Sequence, residues 1–435
     1  MKWNEDTKSQ ILREFTGKNN SEQHDFMASA TSSPTDVQTR RGFTSLMIRF
    51  SKDIYLFVGA IAVLELVSGI NVLYPWMRIY VFVGTLLMIG SWIAKVALTN
   101  VLSTTTPRQA LAKLDKRTRQ GSGGPNNLRF FVSEMQGWRD QMEDATLCLL
   151  KLEEPLSNAS LFGIFDGHGG PMVAKICEQS FPLEICRQAK LTTDLSVALE
   201  KSYTEIDAFL QTTGSLKNMR TSGSSASIPL SRIDEPEGVK RENLFDFIGS
   251  TAVISVIRDN QIFVSNAGDS RAILCRGGEA VELSRDHKPE SPRERSRIEN
   301  AGGRVSIVGP CHRVDFGLNL SRALGDFLYK RNADLPASHQ KITATPEIVI
   351  EPIQANDEFL LMGCDGVFEL LSSQQVINFV RFRLKTGMDP KAVVESLLDE
   401  CCSKDPQKTL GRGTDNETCI LVLLNNDSQA STIKQ

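Results

Sequence analysis

Four aspartates stand where apolar runs meet glycine or asparagine: Asp166 in LFGIFDGHGG (161–170), Asp269 in IFVSNAGDSRA (262–272), Asp365 in EFLLMGCDG (358–366) and Asp415 in GTDNETCILVLL (413–424). Such an ending puts a carboxylate where a strand leaves the core. Four of them on neighbouring strands make an oxygen-lined cation site. A single Asp-Gly after a strand is ordinarily just a turn, so the repetition carries the argument. GWRDQMEDA (137–145) adds Arg139 four residues before Glu143 and Asp144. In an extended segment Arg139 and Glu143 share a face. A guanidinium fork matches the geometry of a phosphate, whereas the same pair standing alone would read as a surface ion pair.

The elements that must position these groups are legible around them. LFGIF is unbroken in its apolar character and TAVISVI (251–257) is rich in β-branched residues, which predicts strands covered on both faces. Gly167, Gly268 and Gly366 let the chain turn and let backbone approach a ligand. A helix is expected to open at Pro171, and Leu195, Leu199, Tyr203, Ile206 and Leu210 keep a helical stripe, placing two helices on one sheet face. Residues 376–384 and 392–402 read as a second helix pair whose stripes are core. No internal repeat is evident.

In order along the chain, GWRDQMEDA, FGIFDGHGG, GSTAVISVI, NAGDSRAILCRGG, LSRDHKP, RIENAGGRV, LNLSRALGD, TPEI, FLLMGCDGVFE and GTDNETCILVLL resemble the metal-dependent protein serine/threonine phosphatases of type 2C, over residues 129 to about 425. The resemblance implies an α+β fold: a four-layer αββα sandwich, two central antiparallel sheets flanked by helix pairs. It also implies two Mg²⁺ or Mn²⁺ ions at one end of the sandwich. Asp166 resembles the carboxylate bridging both ions, and the Gly167 carbonyl a ligand of one. Asp365 and Asp415 match ligands of the other ion. Glu143 matches a carboxylate that holds its ion largely through water, and Asp144 one that orients the ligands. Few histidines (five) and no C-x-x-C pair favour a hard, oxygen-bound cation over zinc or iron.

The implied chemistry is in-line attack of a metal-bridging water or hydroxide on a phosphoserine or phosphothreonine. Arg139 is expected to hold the phosphoryl oxygens, and His168 to protonate the leaving oxygen. The family commonly has aspartate where this chain has Glu369, so the third cation site implied with Asp269 is expected to be weaker. Phe316 and Asn319 replace smaller residues usual beside the substrate cleft. A phosphoprotein-binding pseudophosphatase is the alternative reading, and every core position is filled against it. A protein kinase is excluded by the lack of a glycine-rich loop followed by a strand lysine. A net charge of −3 without a basic stripe argues against a nucleic-acid partner.

The remainder divides by composition. Residues 1–50 are a polar, Ser/Thr-rich tail, expected to be disordered and without a cleavable signal sequence. Within 51–102, the runs 54–74 and 79–102 are each long enough to cross a bilayer and are joined by PWMR, predicting a transmembrane or re-entrant hairpin. Lys and Arg flank the pair on both outer sides, which places the N-terminus and the catalytic domain in the cytosol. Glu65 and Lys95 oppose this, at on the order of 3 kcal/mol each at mid-bilayer, and a buried soluble helical hairpin is the competing reading. Residues 103–128 read as a linker, 211–242 as a flexible surface insertion with a regulatory loop as the alternative, and 426–435 as a tail. Nine cysteines without a scaffold spacing suit reduced thiols, and the catalytic domain is expected to be monomeric.

Overall fold

The computed structural model describes residues 112–215 and 242–424. The tail, the hairpin at 54–102, the centre of the 211–242 insertion and the C-terminal tail lie outside the described residues. Among the described residues no helix is long and apolar enough to cross a membrane.

Two antiparallel sheets form the centre. One has six strands, in the order Lys113–Gly123, Leu128–Gly137, Glu417–Leu423, Asp357–Gly363, Arg271–Arg276 and Glu279–Glu282. The other has five, in the order Glu347–Pro352, Gln261–Ala267, Ala252–Arg258, Ser160–Phe165 and Ala145–Leu149. Antiparallel strands ordinarily alternate in polarity, yet all of Ser160–Phe165 and all but the last residue of Ala252–Arg258 are buried. The reason is that each sheet is covered on both faces, by the other sheet inside and by helices outside. Between the sheets, the rings of Phe130 and Phe162 meet edge-on at 5.9 Å.

Outside the five-stranded sheet lie the helices Met172–Ala189 and Leu195–Thr213. Pro171 stands at the N-cap of the first, and Asp194 caps the second by accepting from the Ser196 N–H at 2.9 Å. All five residues of the predicted stripe are buried. Phe181 stacks on Phe165 at 5.5 Å and meets Tyr203 edge-on at 4.8 Å, tying helices to sheet. The helices Ser373–Lys385 and Pro390–Cys401 form the opposite layer, the first started by a Ser372/Gln375 capping box and the second by Pro390 after Asp389. The expected four layers are therefore present.

The domain begins earlier than its sequence suggested. Lys113–Gly123, assigned to the linker 103–128, is an edge strand whose partner runs from Gly137 opposite Lys113 to Leu128 opposite Gly123. An edge strand needs only backbone pairing on one side, and KLDKRTRQGSG supplies the charged, mostly exposed side chains that keep such an edge from pairing further. Its polarity therefore hides it from a hydrophobic pattern. At the insertion, the helix continues to Thr213 and Ser215 pairs with Asn243, so the core closes the gap on both sides of residues 216–241.

Tyr203 is fully buried, and its hydroxyl donates to the Ser265 carbonyl at 2.9 Å across the helix–sheet boundary. Replacing it by phenylalanine keeps the ring contact and removes the bond. The expected cost is about 1 kcal/mol in urea unfolding at unchanged m-value. An unchanged midpoint would show that the bond contributes nothing.

Candidate metal-binding active site

Strand register brings the functional loops to one end of the sandwich. Gly363 lies opposite both Cys419 and Arg271, and Glu417 opposite Met135. In the other sheet Ala145 lies opposite Phe165, and Ala252 opposite Ala267. The turns carrying Arg139 to Asp144, Asp166 to His168, Asp269, Asp365 and Asp415 therefore all leave the sheets together.

Backbone contacts hold these turns against one another. A Cβ on Gly167 would lie 2.4 Å from the Glu143 carbonyl oxygen, so only glycine permits the two acidic loops to touch. The Asn416 carboxamide accepts from the Glu143 N–H at 2.8 Å and donates to the carbonyls of Gln136 and Gln141 at 2.9 and 3.0 Å, pinning the Arg139–Glu143 loop to the Asp415 turn. Thr251 binds Asp166 twice: its N–H donates to the Asp166 carbonyl at 2.9 Å, and its hydroxyl accepts from the Asp166 N–H at 3.2 Å.

The acids lie within each other's field. Burial first, then the charges of Asp144, Asp365, Asp415 and Asp269, raise Asp166 well above the usual carboxylate range. Burial and then the Asp269 and Asp415 charges do the same to Asp365. Asp144 is pushed by burial to about 7 although the Thr418 hydroxyl donates to it at 2.6 Å, and its other oxygen has no protein partner. Burial also raises Glu143 and Asp415, against the attraction of His168 and Arg139 on the former and of Arg139 on the latter. Such a set is unfavourable as it stands, because desolvated like charges repel.

Protein cations answer part of that charge. Arg139 meets Asp415 at 2.5 Å, and Lys288 meets Asp269 at 2.5 Å. His168 bonds to Asp326 at 2.7 Å, and although burial opposes its charge, Asp326 and the nearby acids raise its proton affinity. Among the described residues no three His, Cys, Asp or Glu side chains are already drawn around one point as a finished cage. The donor chemistry nevertheless fits hard divalent cations: the converging ligands are oxygens, and their repulsion and the orphaned Asp144 oxygen are what a cation would relieve.

Of the residues singled out in the sequence, Glu143, Asp144, Asp166 with Gly167, Asp269, Asp365 and Asp415 are brought together, with Arg139 and His168 beside them. Glu369 is differently engaged. It follows the short helix Asp365–Phe368, and its carboxylate accepts from the Gly413 N–H at 2.6 Å. Phe316 sits 62% exposed at a turn with φ of 65°, a costly conformation for a bulky residue, and Asn319 is half-buried nearby. Lys288 and Asp326 received no role from sequence patterning. Each ends a run (SRDHK, SRALGD) in which nothing but the charge itself signals a buried partner.

Residues 128–410 match the family described as Protein phosphatase 2C. The chain is 37% identical over 328 residues to probable protein phosphatase 2C 42 of Oryza sativa subsp. japonica, covering 73% of this chain and 90% of that protein. It is 39% identical over 296 residues to probable protein phosphatase 2C 6 of Paramecium tetraurelia, covering 68% and 92%. In fold it is similar to a solved phosphatase from a pathogenic strain of Toxoplasma gondii, with a TM-score of 0.54 at 23% identity over 71% of this chain and 95% of that one. The chain belongs to the protein phosphatase 2C family. It is a protein phosphatase. Asp415 lies beyond the end of the family match, and its place in the site rests on the geometry above.

A raised carboxylate pKa carries a definite sign. Each such acid binds its proton more firmly folded than unfolded, so the stability it contributes is full below its ordinary value and is lost as pH rises through its folded value. For Asp144 that window runs from 3.8 to about 7. Glu294, which arginines hold at about 2 despite its burial, acts in the opposite sense only below its ordinary value of 4.5. Calorimetry of the metal-stripped protein should therefore show Tm falling between about pH 5 and pH 7, and a saturating divalent cation should flatten the slope. A profile flat in that range, with or without cation, would contradict the charge reading of the site.

Proposed function

We propose that this protein hydrolyses phosphoserine and phosphothreonine on protein substrates at the acidic end of the sandwich, using Mg²⁺ or Mn²⁺. The observation that carries this reading is a partly buried, mutually repelling set of carboxylates flanked by one exposed guanidinium and one partly exposed imidazole. Asp166, the Gly167 main chain, Glu143, Asp365 and Asp415 would hold two ions, with Asp144 orienting the ligand shell. When bound, the ions would supply Lewis acidity and an activated water at neutral pH.

The chain's own residues supply the rest. The Arg139 side chain is 54% exposed, so its guanidinium can turn from Asp415 to an incoming phosphoryl group and orient it by paired hydrogen bonds. His168 donates the proton that the departing serine or threonine oxygen needs. Asp269 and Glu369 would form the weaker third position. Lys288 on Asp269 and the Gly413 N–H on Glu369 both compete with an ion there, which supports low affinity. Substrate preference is assigned to the exposed turn around Phe316.

A phosphothreonine peptide incubated with protein and Mn²⁺ should release phosphate, and Asp166→Asn or a chelator should abolish release. Tight peptide binding without hydrolysis in the wild type would instead favour a phosphoprotein-binding scaffold.

The address of this activity is a separate part of the proposal. Residues 54–74 and 79–102 with their flanking Lys and Arg support a membrane hairpin that leaves the catalytic domain in the cytosol, where it acts as a monomer. Full-length protein should stay with the membrane pellet after extraction at high pH, and a version lacking 54–102 should not. Release of the full-length chain into the aqueous phase would overturn the anchor.

A further inference from the structure

Three two-residue strands lie side by side next to the acidic site. Gly167–His168 pairs with Gly249–Ser250, which pairs with Leu324–Gly325. His168 and Gly325 therefore flank Gly249. The residue after Gly325 is Asp326, held in the left-handed region with φ of 52° and ψ of 42°. That turn sends its carboxylate back over Gly249 to the imidazole, where Asp326 Oδ2 accepts from His168 Nε2 at 2.7 Å.

The surroundings fix this arrangement. The Gly325 N–H donates to Asp207 of the second helix at 2.9 Å, and Lys330 binds the same carboxylate at 2.8 and 2.9 Å. The Asp326 N–H donates to the Ile248 carbonyl at 3.1 Å. A Cβ on Gly249 would lie 2.2 Å from Asp326 Oδ2 and 2.6 Å from His168 Nε2, so the pair exists only because residue 249 has no side chain.

Asp326 is fully buried, and among the described residues its side chain makes one hydrogen bond, to His168; its other oxygen has no protein partner. A buried carboxylate kept for stability would be satisfied by several donors, as Glu294 is by Arg297, Arg322 and Ser321. A fully buried carboxylate whose single side-chain hydrogen bond goes to the histidine facing the site has another purpose.

We propose that Asp326 is a positioning residue for proton transfer to the leaving group: it fixes the His168 ring with Nε2–H donated to the carboxylate and leaves Nδ1 as the nitrogen that serves the substrate. This rests on the reading of His168 as general acid. In the step, the Nδ1–H proton passes to the serine or threonine oxygen as its bond to phosphorus breaks, and the ring becomes neutral while keeping Nε2–H on Asp326. The attacking water forms the new bond to phosphorus and releases one proton. That proton restores the imidazolium, so the turnover balances as phosphomonoester plus water giving alcohol plus phosphate.

A leaving group that needs no proton separates this role from a structural one. Asp326→Asn retains a residue that tolerates the left-handed conformation. With full-length, Mn²⁺-loaded protein, it should lower kcat on a phosphothreonine peptide by about 10²-fold at nearly unchanged KM. Turnover of p-nitrophenyl phosphate, whose phenolate departs unaided, should barely change. Gly249→Ala, which wedges the pair apart while keeping both side chains, should show the same selectivity. In the His168→Ala background, Asp326→Asn should cause no further loss. In ¹⁵N-histidine spectra of the metal-free protein the His168 ring signals should move in Asp326→Asn.

Equal loss on both substrates in Asp326→Asn and Gly249→Ala, or loss on neither, would overturn the inference. If His168→Ala is selective for the peptide and the other two variants are not, Asp326 is excluded while the general acid stands. If His168→Ala itself is unselective, the general-acid reading fails and this inference with it.

Discussion

Mutual repulsion among closely gathered, partly buried carboxylates is the constraint on which the rest of the structure turns. Asp166 carries the burden most heavily, since it is desolvated and lies in the field of four other aspartates. A chain gains nothing in stability from gathering such groups, and burial of a charge without a partner is among the costlier things a fold can do. The arrangement makes physical sense when cations are part of it. Arg139 and Lys288 meet two of the acids in this structure, and divalent ions would meet the remainder.

Holding like charges together requires a scaffold that does not yield. Here that scaffold is the registered end of two antiparallel sheets packed face to face and sealed by helices, so the Asp166 and Asp365 turns spring from strands buried almost throughout. Short connections then lock turn to turn: Asn416 clamps the Glu143 backbone, Thr251 clamps Asp166, and Gly167 lets two acidic loops come into contact. The Phe165–Phe181–Tyr203 ring cluster, which starts at the residue before Asp166, serves the site by tying the outer helices to the strand that carries it.

Much of this was legible in the sequence because it depends on local pattern. The strand-terminal aspartates, the helix stripe from Leu195 to Leu210 and the two helix pairs all follow from periodicity and turn chemistry. The edge strand Lys113–Gly123 was hidden, because pairing at an edge is a backbone matter and its side chains are those of a linker. Lys288 and Asp326 were hidden for a different reason: their meaning is in contacts 19 and 158 residues away, which no local pattern encodes. Glu369 was read as a departure from the family pattern, and its bond to Gly413 shows that the longer side chain has a partner of its own.

The central claim is that the acidic end of the sandwich is a cation site assembled by the fold. It is tested most directly by titrating the metal-stripped protein with Mn²⁺ and reading the free ion by electron paramagnetic resonance. The account predicts saturable uptake of two ions per chain, with uptake reduced in Asp365→Asn at unchanged secondary structure. No saturable uptake by the wild type, or full uptake by Asp365→Asn, would contradict it.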